Sequence, residues 1–447
     1  MISDKNKNLK VGVVSLGCDK NRVDSEKLIA EMSKEYEITN DIDRADVLVI
    51  NSCAFLAASR KEAIDCTIYY AEKKRTGKLK KIILTGCLPQ KFVGEMFEEF
   101  FEVDGFLGTY DGSLINSVIE RTLRGERVNA VGCGSPLGAD RVLTTQPHYA
   151  YVKIADGCDN HCTYCLIPKI RGKFFSEPIE KLTEEVRALG ETEELVLVAQ
   201  DVTRYGEDLY GKPSLVRLIK ELSAIDTVKK IRLLYCYPEL IGDELIAEIA
   251  ENDKVIKYID VPMQHASNRI LKLMNRRGTF EDYVALTDKL KEKIPDIAIR
   301  STFISGFPSE TEEDHEKLKE FLRRVKLFNA GFFAYSKEPD TPAYKLKGHL
   351  SESVKKKRVK ELYALQKSIV NEKMSSFVGK TLEVLCDGVD YNKQSFYGRA
   401  YFNAPDIDGV IYITGDRVIE QGKRYAVKIE KSTGYDLYGV IENELTK

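Results

Sequence analysis

Short apolar runs and one-sided helical stretches alternate along this chain in two series, and a third region follows with a different period. KVGVVSLGC (10–18), ADVLVINSC (45–53) and KIILTGC (81–87) are continuous apolar runs, too short for buried helices. Amphipathic stretches at 23–32, 63–74 and 90–101 separate and follow them. Strands that are apolar on both faces, alternating with helices, predict a parallel sheet covered on both sides. Residues 1–131 therefore read as a doubly wound α/β domain.

Residues 132–147 are rich in Gly, Pro and small polar residues and read as a linker. A second strand–helix series follows, with strands expected at 149–155, 195–200, 231–236, 258–264, 299–306 and 330–336. Helical stretches fall at 214–225, 280–294 and 310–325, and a charged helix at 352–374 closes the series. Six βα units predict a partial (β/α)6 barrel over 148–376 rather than a closed eight-stranded one. From Phe377 to Lys447 the period shortens to strands broken by Gly, Asp and Asn, which predicts a small all-β barrel. The fold class is α/β with this all-β module appended.

Composition adds little until the cysteines are placed. The chain has 447 residues, 31% of them charged and 43% hydrophobic, and no apolar run approaches the ~20 residues of a membrane span. Its first ten residues are polar, without a leader pattern, so a cytoplasmic protein is expected. A net charge of −2 argues against broad contact with nucleic-acid phosphates. In a long cytosolic chain, ten cysteines point to ligands rather than disulfides. Cys66, Cys133, Cys236 and Cys386 read as small buried hydrophobes, and the other six make a pattern. Cys18, Cys53 and Cys87 each end one of the first three strands. A parallel sheet presents its carboxyl ends along one rim, so the three thiols are expected together there.

The second group is DGCDNHCTYC, where Cys158, Cys162 and Cys165 follow the first strand of the partial barrel. Thiolates suit zinc or an iron–sulfur cluster, and a structural zinc site would need a fourth ligand. His161, wedged between two of the cysteines, is poorly placed to supply it. Three thiolates on four irons instead leave one iron open. With Tyr164 before its last cysteine, the segment resembles the signature of the radical S-adenosylmethionine (SAM) enzymes. In that family the open iron holds SAM, and an electron from the cluster releases a 5′-deoxyadenosyl radical. The resemblance implies SAM contacts from Tyr164, Gln200, Asp201, Gln264, Arg300 and the glycine of ISGFPSE, Gly306.

Two cysteine trios together with a terminal β-barrel resemble the methylthiotransferases over essentially the whole chain. SLGCDKNRVDSE, INSCAF and LTGCLPQ match their first cluster-binding segments, and 377–447 matches their TRAM domain. The resemblance implies two [4Fe-4S] clusters, two SAM equivalents, and an electron donor such as flavodoxin or ferredoxin. It also implies a monomer with no membrane partner and no protein general acid or base, whose two trios face one cavity. One branch of the family modifies a tRNA adenosine beside the anticodon. The other modifies the β-carbon of an aspartate in small-subunit ribosomal protein twelve. KIADGC and PMQH, with His265, favour the protein branch, although Asp19 stands where that branch usually has Pro. Residues 377–447 also hold nine Lys/Arg against eleven Asp/Glu, which suits a basic protein better than tRNA. A tRNA adenosine substrate is the alternative, and a non-enzymatic iron–sulfur regulator is a rival from another class.

Overall fold

The computed structural model describes residues 8–77, 79–416 and 418–445. Most of the polar N-terminal stretch, together with Arg417 and Lys447 from the C-terminal charge count, lies outside these residues. Two compact units account for the chain: 1–144, 151–161 and 165–188 form the first, and 145–150, 162–164 and 189–447 the second.

The first unit is built on strands β1 (Lys10–Ser15), β2 (Glu37–Thr39), β3 (Val47–Ser52), β4 (Lys81–Gly86), β5 (Gly105–Phe106) and β6 (Val128–Asn129). They lie in the order β2-β1-β3-β4-β5-β6, and every pair is parallel. Helices α1 (Asp19–Ser33), α2 (Ala57–Arg75), α3 (Cys87–Glu99) and α4 (Ile115–Leu123) connect them. The apolar runs are continuous because both faces are buried. Leu48, Ile50, Ile82 and Leu84 enter one core with Met96 and Phe106. Val47, Val49 and Ile83 enter the other with Leu28, Met32 and Val118. Register sets the rim: Ser15 lies opposite Asn51, Asn51 opposite Thr85, and Ser52 opposite Gly86.

The stretch read as a linker has almost no regular structure, but its residues 132–144 are part of this unit. The buried Arg141 guanidinium donates to Glu185 at 2.8 Å and to the Tyr151 carbonyl at 2.6 Å, and also pairs with Glu26. The Thr144 amide and hydroxyl both donate to Glu26. Cys133 lies in the same stretch and is exposed, which corrects its reading as a buried hydrophobe. Gly132 and Gly134 on either side donate their amides to Asp111, and this turns the Cys133 side chain outward.

In the second unit, the strands Asn329–Ala334, Ala298–Ser305, Val255–Asp260, Ile231–Leu233 and Glu194–Val198 lie side by side in an open sheet, and Tyr149 and Ala150 begin its edge strand. The first five strands are parallel. Helices Phe280–Lys293 and Glu312–Val325 each open with a capping box, Thr279 with Asp282 and Thr311 with Asp314. After the helix Glu352–Ser375, five strands close the expected barrel: Thr381–Asp390, Ser395–Arg399, Ile411–Thr414, Arg424–Thr433 and Asp436–Glu444.

A buried charge network fastens this barrel to the sheet. Glu194 accepts from Arg232 at 2.6 Å and from Arg399 at 2.7 Å. Arg399 also grips Asp387 through two nitrogens, and His148 Nε2 lies 2.8 Å from the same carboxylate. Among the described residues, no helix is long and apolar enough to cross a membrane.

Candidate functional site: two cysteine trios

The register of the first sheet delivers the first trio. Cys53 follows β3, Cys87 follows β4 as the first residue of α3, and Cys18 is the N-cap of α1. Two glycines let the segments close on one another. Gly17 has φ +95°, and a Cβ there would lie 2.7 Å from the Cys53 Cβ and 3.3 Å from its Sγ. Gly86 has φ +94°, and a Cβ would meet the Asn51 side chain and the Ser52 backbone. Only glycine takes both positions without strain.

Asn21 ties the trio together. Its Nδ2 donates to the carbonyls of Leu16 at 3.0 Å and Ser52 at 3.2 Å. Its Oδ1 lies 3.9 Å from both the Cys18 and the Cys87 Sγ. The same oxygen accepts from Arg171 Nη2 at 2.7 Å. Arg171 in turn donates to Asp156 at 2.6 Å and Asp24 at 3.0 Å, and Lys153 pairs with both carboxylates. Burial alone would push the Asp156 carboxyl up, but Arg171 and Lys153 outweigh it and hold the group well below the carboxylate range. Burial pushes the Cys87 thiol up to about 11, with Arg171 opposing, and raises Cys53 in the same way. A thiol raised in this way loses its proton readily only to an electron-withdrawing partner such as a metal.

Asn21, Asp24, Lys153, Asp156 and Arg171 were not among the residues expected from sequence. The strand-end rule finds cysteines, but the charged partners come from 150 residues away along the chain, where a lone Arg in KIRGKF carries no spacing signal.

The second trio falls within eight consecutive residues, and its three cysteines are half-buried. Cys158 and Cys165 belong to the first unit and Cys162 to the second. The Cys158 amide donates to the Gly172 carbonyl at 3.2 Å, and the Cys165 Sγ accepts from the Ile167 amide at 3.4 Å. Cys162 Sγ lies 3.9 Å from the Tyr237 hydroxyl, whose ring carries the buried Arg276 guanidinium at 3.8 Å. His161 is exposed, with φ 52°. Among the described residues, no three His, Cys, Asp or Glu side chains converge on one point as a single ion would require. A four-iron cluster takes each thiolate on a separate iron and needs no such convergence.

The residues expected to contact SAM divide into two kinds. Tyr164 packs against the cluster of Ile270, Met274, Phe307 and Tyr335 beside its cysteines. Gln200 follows the strand Glu194–Val198, and Gln264 follows Val255–Asp260 in a left-handed conformation, φ 73°. A non-glycine residue held there at a strand end is strained backbone of the sort found at functional sites. By contrast, Asp201 is fully buried and its carboxylate caps its own turn through the Thr203 amide at 3.1 Å. Arg300 is spent on Asp260 at 2.8 Å and Asp408 of the terminal barrel at 3.5 Å. Its register explains this, because it pairs with Asn329 at the start of the neighbouring strand, below the rim where Gln264 pairs with Phe303. Gly306 has φ +77°, and the atom its missing Cβ makes room for is Lys355 Cγ, at 2.4 Å.

Three family models match in succession. Residues 10–108 match the uncharacterized protein family UPF0004, 152–322 the radical SAM superfamily, and 378–441 the TRAM domain. The ribosomal protein uS12 methylthiotransferase RimO of Clostridium botulinum (strain Eklund 17B / Type B) is 46% identical over 445 residues, 98% of this chain and 99% of its own. Its namesake from Lachnoclostridium phytofermentans is 45% identical over 440 residues, 97% of this chain and 100% of its own. Among solved structures, the radical SAM methyltransferase TsrM from Kitasatospora setae, with cobalamin and a [4Fe-4S] cluster bound, superimposes with a TM-score of 0.56. That match covers 75% of this chain and 77% of TsrM at 14% identity, a likeness of fold alone. With three domains matched in order and close to half of its residues shared with these relatives from end to end, the chain belongs to the radical SAM methylthiotransferase family, in the branch of the uS12-modifying enzymes, and is an enzyme of that class.

Proposed function

We propose that this enzyme inserts a methylthio group at the β-carbon of an aspartate in ribosomal protein uS12, using two [4Fe-4S] clusters and two SAM equivalents. Bound at Cys158, Cys162 and Cys165, a cluster with SAM supplies the hydrogen-abstracting radical, and a second cluster at Cys18, Cys53 and Cys87 supplies the sulfur. The observation that carries the reading is the gathering of the first trio around Asn21, with Arg171 as the counter-charge. Sequence places three cysteines at strand ends; the structure adds glycines that let them approach and a cation behind them.

The chain's own residues have definite tasks in this reading. The six cysteines hold the clusters and leave one iron of each open. Tyr164, Gln200 and Gln264 shape the SAM side, while Asp201, Arg300 and Gly306, already engaged internally, act as its supports. The terminal barrel recognises the basic protein substrate, consistent with its excess of acidic over basic residues. The electron comes from a flavodoxin or ferredoxin, and the enzyme works as a cytoplasmic monomer.

Two measurements test this. Anaerobically purified protein should hold about eight irons, and Cys18→Ala and Cys158→Ala should each fall to about four. Incubation with SAM and a reductant should add the mass of one methylthio group to uS12 and release 5′-deoxyadenosine. Modification of unmodified tRNA instead would overturn the substrate, and absence of 5′-deoxyadenosine would overturn the chemistry.

A further inference from the structure

Arg171 stands six residues after Cys165, on the segment that ligates the SAM side, yet its guanidinium is directed into the first trio. Its side chain is 2% exposed. Four contacts fix it: Asn21 Oδ1 at 2.7 Å, Asp24 at 3.0 Å, Asp156 at 2.6 Å, and the Tyr110 hydroxyl, which donates to its carbonyl at 2.7 Å. The guanidinium and the sulfurs of Cys18 and Cys87 share the Asn21 oxygen as a common neighbour. Arg is permanently charged, and burial weakens the solvent screening of that charge. Asp24 and Asp156 offset Arg171 and Lys153 in number, but the Arg171 guanidinium is the group of the four that reaches the Asn21 oxygen beside Cys18 and Cys87, so an anionic cluster on the three thiolates would meet a cation held rigidly in place. A fixed cation favours the more anionic, reduced state of a cluster and raises its potential.

We propose that Arg171 is the positioning residue that sets the redox state of the first cluster, its guanidinium providing the charge against which the cluster at Cys18, Cys53 and Cys87 accepts an electron. The inference rests on the two-cluster reading given above. It concerns a single-electron reduction by an external titrant, with no bond made or broken. Asp24 then has the opposite influence, because it draws on the same guanidinium.

The test isolates the first cluster. A variant with Cys158, Cys162 and Cys165 all changed to Ala is reconstituted with iron and sulfide, and its iron is counted. About four irons are expected; none would show that the two-cluster reading itself has failed. In that background, potentiometric titration followed by electron paramagnetic resonance compares Arg171→Met, Arg171→Lys and Asp24→Asn. Arg171→Met should lower the reduced fraction at fixed potential at least tenfold, a shift of 59 mV for one electron. Arg171→Lys should recover most of that loss, and Asp24→Asn should move the midpoint the other way. A cluster that keeps its four irons and its potential in Arg171→Met, or a Lys variant no better than Met, overturns the proposal. Where Arg171→Met fails to hold iron, Asp24→Asn decides, and an unchanged midpoint there sinks the idea.

Discussion

Two of the buried arginine–carboxylate networks among the described residues, one in each compact unit, are assembled from nearly the same parts. At the cysteine rim, Arg171 and Lys153 meet Asp24 and Asp156. At the seam of the terminal barrel, Arg232 and Arg399 meet Glu194 and Asp387, with His148 against the latter. The seam closes on itself: opposing cations grip its carboxylates, and the remaining reach of Arg232 goes to the Tyr401 carbonyl at 2.7 Å. The rim does not close, because one nitrogen of Arg171 is given to an amide oxygen that two thiols also approach. Similar charges therefore fasten two parts of the fold in one place and line a rim of cysteines in the other.

The largest expected effect breaks the seam. Arg399→Met leaves Glu194 and Asp387 buried with fewer partners, and such a loss costs about 3–5 kcal/mol. Urea unfolding should show that drop while the iron content per folded chain stays at the parent value. Iron lost along with stability would mean that the two networks are not separate in function.

Acid should find the same seam. Burial would raise the Glu194 carboxyl, but Arg232 and Arg399 outweigh it and hold it down to about 2 from an ordinary 4.5. A depressed carboxylate stabilises the fold above its unfolded value, and that contribution is lost as pH falls toward the folded one. Stability from this group should thus be complete above 4.5 and decline between 4.5 and about 2, by about 3 kcal/mol in all. Glu194→Gln should be less stable near neutrality and flatter across that window in pH-dependent urea titrations. An unchanged acid limb would show that other carboxylates control it.

These contrasts also explain what could be read from the chain. Strands 10–15, 47–52 and 81–86 were legible because both their faces are buried, which makes the run continuous and ends it at the rim. The cysteines then followed from parallelism alone. Arg171 and Asn21 were not legible, since a side chain's partner across 150 residues leaves no period or spacing. Arg300 shows a second limit: strand membership gives the face a residue points to but not its height, and register put this one beside Asp260 and Asp408. Helix starts differ most at the rim, where α2 begins at Ala57 rather than near Ala63 and α1 at Asp19 rather than near Val23. The usual capping residue that would have announced α1 is absent, because a cysteine holds the position.

That absence sharpens the comparison in a last, small prediction. In the second unit, Thr279, Thr311 and Ser351 each cap their helix with a side-chain oxygen. In the first, α1, α2 and α3 begin at Cys18, Leu56 and Gly86 with no side-chain cap at all. Without a side-chain cap at the N-cap position, the positive dipole end of such a helix faces whatever sits beyond it. Thr311→Ala should therefore cost about 1 kcal/mol, the ordinary price of a lost cap. Cys18→Ser should do the reverse in metal-free protein, where it supplies the missing oxygen and stabilises α1 by about 0.5–1 kcal/mol. The same variant should lose the first cluster. Chemical denaturation of the metal-free chain, paired with an iron count after reconstitution, reads both signs at once. A Cys18→Ser chain no more stable than its parent would mean that the rim was never held open at the expense of the fold.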